Sequence, residues 1–321
     1  MLRNLLHLIT VCLLFFIAVP GLFGQVSTAD IVGTVTDQAG AVVADASVTV
    51  DNVDTREKRA TTTGGSGDFV FNLLQPGRYT VSVQSKGFKM GTASLTVSAG
   101  DRARANVELQ VGDVAQAVQV EAQSPALQSD SATLTTVLAS QSVQDLPLNG
   151  RNYVTLVQST VGVYAGPSNS ILSGTRPDER RQTANIIANG QNEVFNNQMI
   201  DGMDNNEREQ FTILMRPSID MIQEVKVDTN SYPAEVGRAG GAVVNLLTKS
   251  GTNSFHGGLY EYLRNDKLNA NDFFSNKTGV PRPEYRQNQF GGSVGGPIRK
   301  DKTFFFGDVE VSGSARAFPR G

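Results

Sequence analysis

Tyr79-Thr80-Val81-Ser82-Val83 alternates apolar and small polar side chains, the period of two expected of a strand with one face on a core. Working outward, similar short runs recur with turn residues between them. The spacing predicts strands at Ile31–Thr36, Ala46–Asn52, Arg59–Thr63, Phe69–Leu73, Arg78–Gln84, Ala93–Ser98 and Ala105–Gln110. The separators are Gln38-Ala39-Gly40, Gly64-Gly65-Ser66-Gly67, Gln75-Pro76-Gly77, Lys86-Gly87 and Ala99-Gly100-Asp101. Glycine supplies positive φ and proline presets a turn, so each separator has a mechanism. Seven short strands at this spacing imply a β-sandwich.

The sandwich also carries a resemblance. Gly33-Thr34-Val35-Thr36-Asp37, Ala46-Ser47-Val48-Thr49-Val50, Gly67-Asp68-Phe69-Val70-Phe71, Pro76-Gly77-Arg78-Tyr79 and Gly87-Phe88 resemble, in that order, carboxypeptidase regulatory-like domains of transthyretin- or Ig-like fold. The unit is bounded at 28–110. The resemblance implies no hydrolysis, since such a domain accompanies the enzyme rather than performing its chemistry. His256 is the lone histidine after the first two dozen residues, so a His-based zinc site is not available, and no metal or cofactor is expected.

The N-terminus reads as an export signal. Arg3 precedes an apolar run from Leu5 to Val19, broken by Pro20-Gly21; the run is short for a membrane helix. A signal peptide is expected over 1–24, with cleavage after Gly24. Cys12 lies inside that run and is the chain's one cysteine, which excludes disulfides from the mature protein. A net charge of −3 gives no footing for nucleic acid, which wants a basic face.

Beyond the sandwich, residues 111–136 are rich in Gln, Ala, Ser and Asp, and a mobile linker is expected there. Within it Ala117, Val118, Gln119, Val120, Glu121 and Ala122 form a short run with strand propensity, suited to adding a strand to a partner's sheet edge. From 137 to 252 helical and strand signals mix, which predicts an α/β domain. Tyr153 to Val157 has helical spacing, Ile186–Gly190 and Asn197–Gly202 read as short strands, and Pro217-Ser218 opens a helical turn that passes into a strand at Glu224–Asp228. A glycine-led strand follows at Ala239–Thr248. Asp201, Asp204, Asn205, Asn206 and Glu207 are oxygen-rich, but their spacing does not fit an EF-hand, and a solvated turn is the better reading. Gly237, Gly240 and Gly241 are no phosphate cradle, for no Gly-Lys-Ser/Thr follows.

This second unit resembles the plug of TonB-dependent receptors. The likeness rests on Asp145-Leu146-Pro147-Leu148-Asn149-Gly150-Arg151-Asn152, Ile200-Asp201-Gly202, Ile222-Gln223-Glu224-Val225-Lys226-Val227, Ala234-Glu235-Val236-Gly237-Arg238, Gly240-Gly241 and Thr248-Lys249-Ser250-Gly251-Thr252-Asn253. Motif positions implied by the resemblance are Asn149, Gly150, Arg151, Asp201, Gly202, Glu235, Gly237, Arg238, Gly240, Gly241, Lys249 and Gly251. It also implies that 117–122 is the TonB box, the strand on which the inner-membrane protein TonB would pull. The glycines at 237, 240 and 241 are expected to permit close backbone approach and sharp bends.

Residues 253–321 predict strands at Ser254–Arg264, Arg286–Gly296 and Thr303–Val311, joined by a long polar loop at Asn265–Tyr285 and a short charged turn at Arg299-Lys300-Asp301-Lys302. Long loop on one side and tight turn on the other is the alternation of outer-membrane barrels. Phe255–Arg264, Asn288–Pro297 and Phe304-Phe305-Phe306-Gly307-Asp308 resemble the opening of Oar-like barrels. A plugged transporter barrel uses about 22 strands, so the start of an incomplete barrel is expected, with the tail after Val311 departing from the family pattern. The fold class is therefore multidomain: a β-sandwich, an α/β plug and the first strands of a barrel. The function implied is energised uptake of an unidentified ligand across the outer membrane, with TonB as partner and no enzyme chemistry. The alternatives are a surface or periplasmic carbohydrate-binding or adhesion protein, and a non-functional truncated product.

Overall fold

The computed structural model describes residues 28–112, 117–119, 132–146, 148, 151–166, 186–207, 213–232 and 236–316. The signal peptide expected over 1–24 lies outside them.

The sandwich forms as the alternation requires. Its strands are β1 (Ala29–Asp37), β2 (Ser47–Asn52), β3 (Lys58–Thr62), β4 (Asp68–Leu74), β5 (Gly77–Gln84), β6 (Met90–Val97), β7 (Arg102–Arg104) and β8 (Val107–Leu109). One sheet has β4 and β7 on either side of β1, with β8 also pairing β1; the other runs β3-β2-β5-β6. Tyr79, Val81 and Val83 of β5 turn inward against Ile31, Val35, Phe69 and Leu109. Full burial of each such aliphatic side chain contributes about 1.5–3 kcal/mol. The strand expected over Ala105–Gln110 forms over Val107–Leu109 (β8), with the separate β7 (Arg102–Arg104) ahead of it. The Asn106 side chain accepts the Thr34 amide at 3.1 Å, which replaces a ladder bond and breaks the run. Gly33 is required where β1 is crossed: a Cβ there would lie 2.0 Å from the Ala105 carbonyl oxygen and 2.6 Å from the Phe69 ring.

The stretch expected as a linker contributes strands at both ends. β9 (Ala117–Gln119) adds to the sandwich, parallel to Met90–Thr92 of β6. β10 (Leu134–Ala139) pairs antiparallel with Ile222–Asn230 of the next unit. Polar composition argued for a mobile chain, but Leu134-Thr135-Thr136-Val137-Leu138 had a sheet edge to join, and composition does not reveal an available edge.

The second unit comprises α1 (Ser140–Asp145), α2 (Val154–Val157), β11 (Val163–Ala165), β12 (Ile186–Ala188), β13 (Asn197–Ile200), β14 (Met203–Asp204), β15 (Ile222–Asn230) and β16 (Val243–Thr248). Its main sheet has the order β10-β15-β16-β13-β14, while β11 and β12 form a separate pair. One face of the main sheet presents Val225, Val227, Val244 and Leu246 to Val143, Tyr153, Leu156 and Val157. The opposite face carries Glu224, Lys226, Asp228 and Asn245, all of them buried. There the Ala99-Gly100 turn of the sandwich docks: the Ala99 amide donates to Glu224 Oε1 at 3.0 Å. A Cβ on Gly100 would sit 2.8 Å from Lys226 Nζ.

The last elements are β17 (His256–Asn265), α3 (Phe273–Thr278), β18 (Tyr285–Arg299) and β19 (Thr303–Arg316), with the three strands in an antiparallel meander. Contrary to expectation, the third strand does not stop at Val311 but pairs with β18 through Arg316. Asp272 caps α3 by accepting the Phe274 and Ser275 amides, and Gly279 closes it in the left-handed conformation. Register places Leu259, Phe290, Val309 and Val311 on one face of the meander, where all four are exposed. Tyr260, Gln289, Asp308 and Glu310 belong to the other face, which lies against the second unit. Asn253 ties this last unit to the sandwich: its side chain donates to the Thr55 carbonyl at 2.9 Å and to Asp301 at 2.8 Å.

Candidate functional site

The charged groups concentrate where the second unit meets β17–β19. Arg151 has a left-handed backbone, φ 51°, and its amide donates to the Leu148 carbonyl. That sharp turn throws the side chain off the end of the α1 segment and onto the meander. The guanidinium pairs with Asp220, has its Nε 3.6 Å from Glu310, and sits 4.3 Å from the centre of the Tyr260 ring and 4.6 Å from that of Tyr262. A guanidinium combines ion pairing with stacking on aromatic faces in a way that an ammonium does not.

The partners of Arg151 are held in turn. Tyr260 donates its hydroxyl hydrogen to Glu310 at 3.0 Å. Asp220 lies in the helical turn Ile219–Met221, which Ser218 caps by accepting the Met221 amide at 3.1 Å. The Ser218 hydroxyl also donates to Asp308. Lys249 stands near Asp220 and Asp308; burial lowers its pKa, and the two carboxylates oppose that shift. Behind the cluster the Tyr153 ring is fully buried. Burial pushes its phenol up, with only the Arg216 charge acting against it.

The other expected motif positions do different work. Asp201 (φ 49°) and Gly202 (φ 79°) form a turn between β13 and β14. The two carboxylate oxygens of Asp201 accept the Thr248 amide at 2.9 Å and the Thr248 hydroxyl at 2.8 Å. This is a clamped turn rather than the solvated one expected, and its carboxylate is committed to protein donors. Among the described residues no group of three or more His, Cys, Asp or Glu could hold a metal ion.

The expected close approach holds at only one of the three glycines singled out for it. A Cβ at Gly241 would lie 2.4 Å from Asn196 Oδ1, whereas Gly240 would make ordinary contact with Phe195 and Gly237 none at all. The bend falls on Arg238, φ 65°, whose exposed side chain reaches Asp204 at 3.4 Å. Gly251 is more constrained: a Cβ there would meet the Phe305 carbonyl oxygen at 2.3 Å and the Gly296 carbonyl oxygen at 2.7 Å. Among the expected positions, then, Arg151 and Lys249 share one charged cluster with Gly251 close by, while Asp201, Gly202, Gly237, Arg238, Gly240 and Gly241 lie elsewhere in the unit. Asn149, Gly150 and Glu235 fall outside the described residues, as do Val120, Glu121 and Ala122. Tyr260, Tyr262 and Asp308 lie in the runs that carry the barrel resemblance but had no role assigned, and Asp220 and Glu310 were not singled out in the sequence. The signal was there as a period of two in Phe304–Val311, which sets Asp308 and Glu310 on one face of the strand.

Two family models match stretches of the chain. Residues 30–110 match the carboxypeptidase regulatory-like domain, and residues 247–317 match the outer membrane beta barrel domain. The second match runs past Val311, so the expected departure of the tail from the family pattern is not found. Along nearly its whole length the chain is homologous to a TonB-dependent transporter: it is 27% identical over 307 residues to the transporter Oar of Myxococcus xanthus, covering 93% of this chain. It spans 27% of that relative's length. Among solved structures it is similar to the outer membrane transporter YddB of Escherichia coli (18% identity, 56% of this chain and 26% of that one, TM-score 0.43). It is also similar to the siderophore receptor PirA of Acinetobacter baumannii (22% identity, 56% and 24%, TM-score 0.40).

Proposed function

We propose that the second unit is the plug of an outer-membrane TonB-dependent receptor and that β17–β19 are the first strands of its barrel wall. The observation that carries this reading is the two-faced meander. Its outward face offers Leu259, Phe290, Val309 and Val311 to its surroundings, and its inward face holds the plug through Arg151, Tyr260 and Glu310. Apolar-out, polar-in alternation is what a strand needs between lipid and a water-filled lumen. Among the described residues no helix is long and apolar enough to cross a membrane, which says nothing of crossing by strands.

On this reading the receptor takes up a ligand with energy delivered by TonB, which pulls on 117–122 and shifts the plug. The position of that segment, between the sandwich and the plug, supports it. So does its capacity to pair as an edge strand, which Ala117–Gln119 already exercise on β6. The test is deletion of Ala117–Ala122 in the full-length protein in its own cell. Ligand uptake should fall to the level of a strain lacking TonB, while binding of the ligand to the cells persists. Uptake at the undeleted rate would overturn the reading and favour a surface binding or adhesion protein.

A further inference from the structure

β15 has two unlike faces. Val225 and Val227 lie in an apolar core with Tyr153, Leu156 and Val244, whereas Glu224, Lys226 and Asp228 opposite them are buried ionisable groups. Within the second unit Lys226 stands 3.8 Å from Asp228, and the Thr135 hydroxyl donates to Asp228 at 2.6 Å. Glu224 is satisfied from the sandwich, by the Ala99 amide at 3.0 Å and by the Ser98 hydroxyl. The sandwich itself shapes the turn that delivers these donors. Asp101 accepts the Ser98 amide at 2.8 Å, and the Gly100 amide donates to the Thr28 carbonyl at 2.8 Å.

The sandwich has a second point of attachment. Asn253, just before β17, donates its backbone amide to the Asp54 carbonyl at 3.2 Å and its side chain to the Thr55 carbonyl at 2.9 Å. The same side chain holds Asp301 in the β18–β19 turn. One body with a core of its own therefore grips both β15 and the strand meander.

We propose that the sandwich is a detachable bracket: it holds the plug against the wall while Ser98–Asp101 sits on Glu224, and it leaves β15 before the plug moves, with both units still folded. The chemistry of the contact suits release. Parting an apolar interface exposes surface that water disfavours. Parting this one returns Glu224, Lys226 and Asp228 to water, and their hydration offsets the hydrogen bonds that are lost. Polar contacts between domains of one chain are of this reversible kind. The apolar face of β15 stays covered by the helices of its own unit throughout. This inference rests on the uptake reading for the plug and the wall, and adds a regulatory step to it.

Hydrogen exchange of the full-length protein in detergent reads the detachment without TonB or ligand. Val81 and Val225 lie in strands paired on both sides, so their amides exchange only when a unit unfolds. Corrected for intrinsic rate, the Ala99 amide should exchange about a hundredfold faster than either, through local opening. Gly100→Asn keeps a left-handed φ of +71°, which asparagine tolerates. Its side chain would start where a Cβ already lies 2.8 Å from Lys226 Nζ. This wedge should speed Ala99 exchange about tenfold and leave Val81 unchanged. Gly40→Asn, at φ +79° with nothing within 4 Å, is the control and should change neither. In planar bilayers under KCl, current should appear at a lower urea concentration for Gly100→Asn than for Gly40→Asn. Ala99 exchange no faster than that of Val81 and Val225 would show that the units part only by unfolding. Equal urea onsets, or no current in either variant, would show that the bracket does not hold the plug. Either result overturns the proposal. Failure of the uptake reading shows instead in the 117–122 deletion, since no TonB takes part in these measurements.

Discussion

Arg151 and Tyr260 come from different units of the chain, and the guanidinium carbon of the first lies 4.3 Å from the ring centre of the second. Asp220 closes the same guanidinium from the plug side and Glu310 from the strand side. The contact thus ties the second unit to the strand meander through one side chain that is 11% exposed.

Arg151→Ala should destabilise this interface by about 1–3 kcal/mol, less than for a fully buried ion pair because the Asp220 and Glu310 side chains keep 27% and 16% of their surface exposed. Arg151→Lys should recover little, because an ammonium offers neither the planar fork nor the stacking surface. Limited proteolysis of the second unit in folded protein measures the effect. Wild-type resistance in Arg151→Ala would show that the cluster contributes nothing to docking.

Gly251→Ala should be more damaging than its size suggests. The added carbon would meet backbone atoms of Phe305 and Gly296, which cannot swing aside as a flexible side chain can. Overpacking of this kind costs about 1–3 kcal/mol, and here it would push β17 away from the β18–β19 turn. Gly237→Ala, with nothing within reach, is the control and should melt within about 0.5 kcal/mol of wild type. Equal melting of the two variants would contradict the close approach at Gly251.

The contact between the sandwich and the second unit should weaken as pH rises. Burial raises the Glu224 carboxyl above its ordinary value, with Asp101 adding to the shift; the Ala99 amide, the Ser98 hydroxyl and Lys226 work against it. A carboxyl with a raised folded pKa keeps its proton in the folded state after the unfolded chain has lost it. Stability is therefore full below the ordinary carboxylate pKa and declines as pH climbs from there through the raised value. Glu224→Gln retains an acceptor for Ala99 without the titration, so its unfolding midpoint in urea should exceed wild type at pH 7 and match it near pH 4. A constant difference at both pH values would rule out Glu224 as the titrating group.

Val118→Pro removes the amide hydrogen that an added strand needs. Uptake through the full-length receptor should be lost while ligand binding to whole cells stays within about twofold. Uptake at the wild-type rate in this variant would exclude 117–122 as the segment TonB holds.

Local chemistry was legible where neighbours in sequence decide the outcome. Tyr79, Val81 and Val83 alternate because a two-residue period has only two faces to offer. Ser218 caps its turn because its hydroxyl is three residues from the amide it accepts. The motif run that includes Arg151 marked the region of the charged cluster without revealing its partners. Tyr260 and Glu310 are separated from Arg151 by 109 and 159 positions, and no local pattern links them. The late start of the last sandwich strand, at Val107, was hidden for a similar reason, since it depends on Asn106 meeting Thr34.

Composition and periodicity alone thus determined a sandwich, an α/β unit and the beginning of a two-faced strand meander. They did so because strand alternation and turn residues act over a few positions. Only the tertiary structure decided that Leu134–Ala139 is a strand, that the charged face of β15 is covered by the Ala99-Gly100 turn, and that Arg151 bridges the second unit and the meander. Each of these depends on which surface arrives to bury a group, and burial is a property of the folded whole rather than of any stretch of sequence.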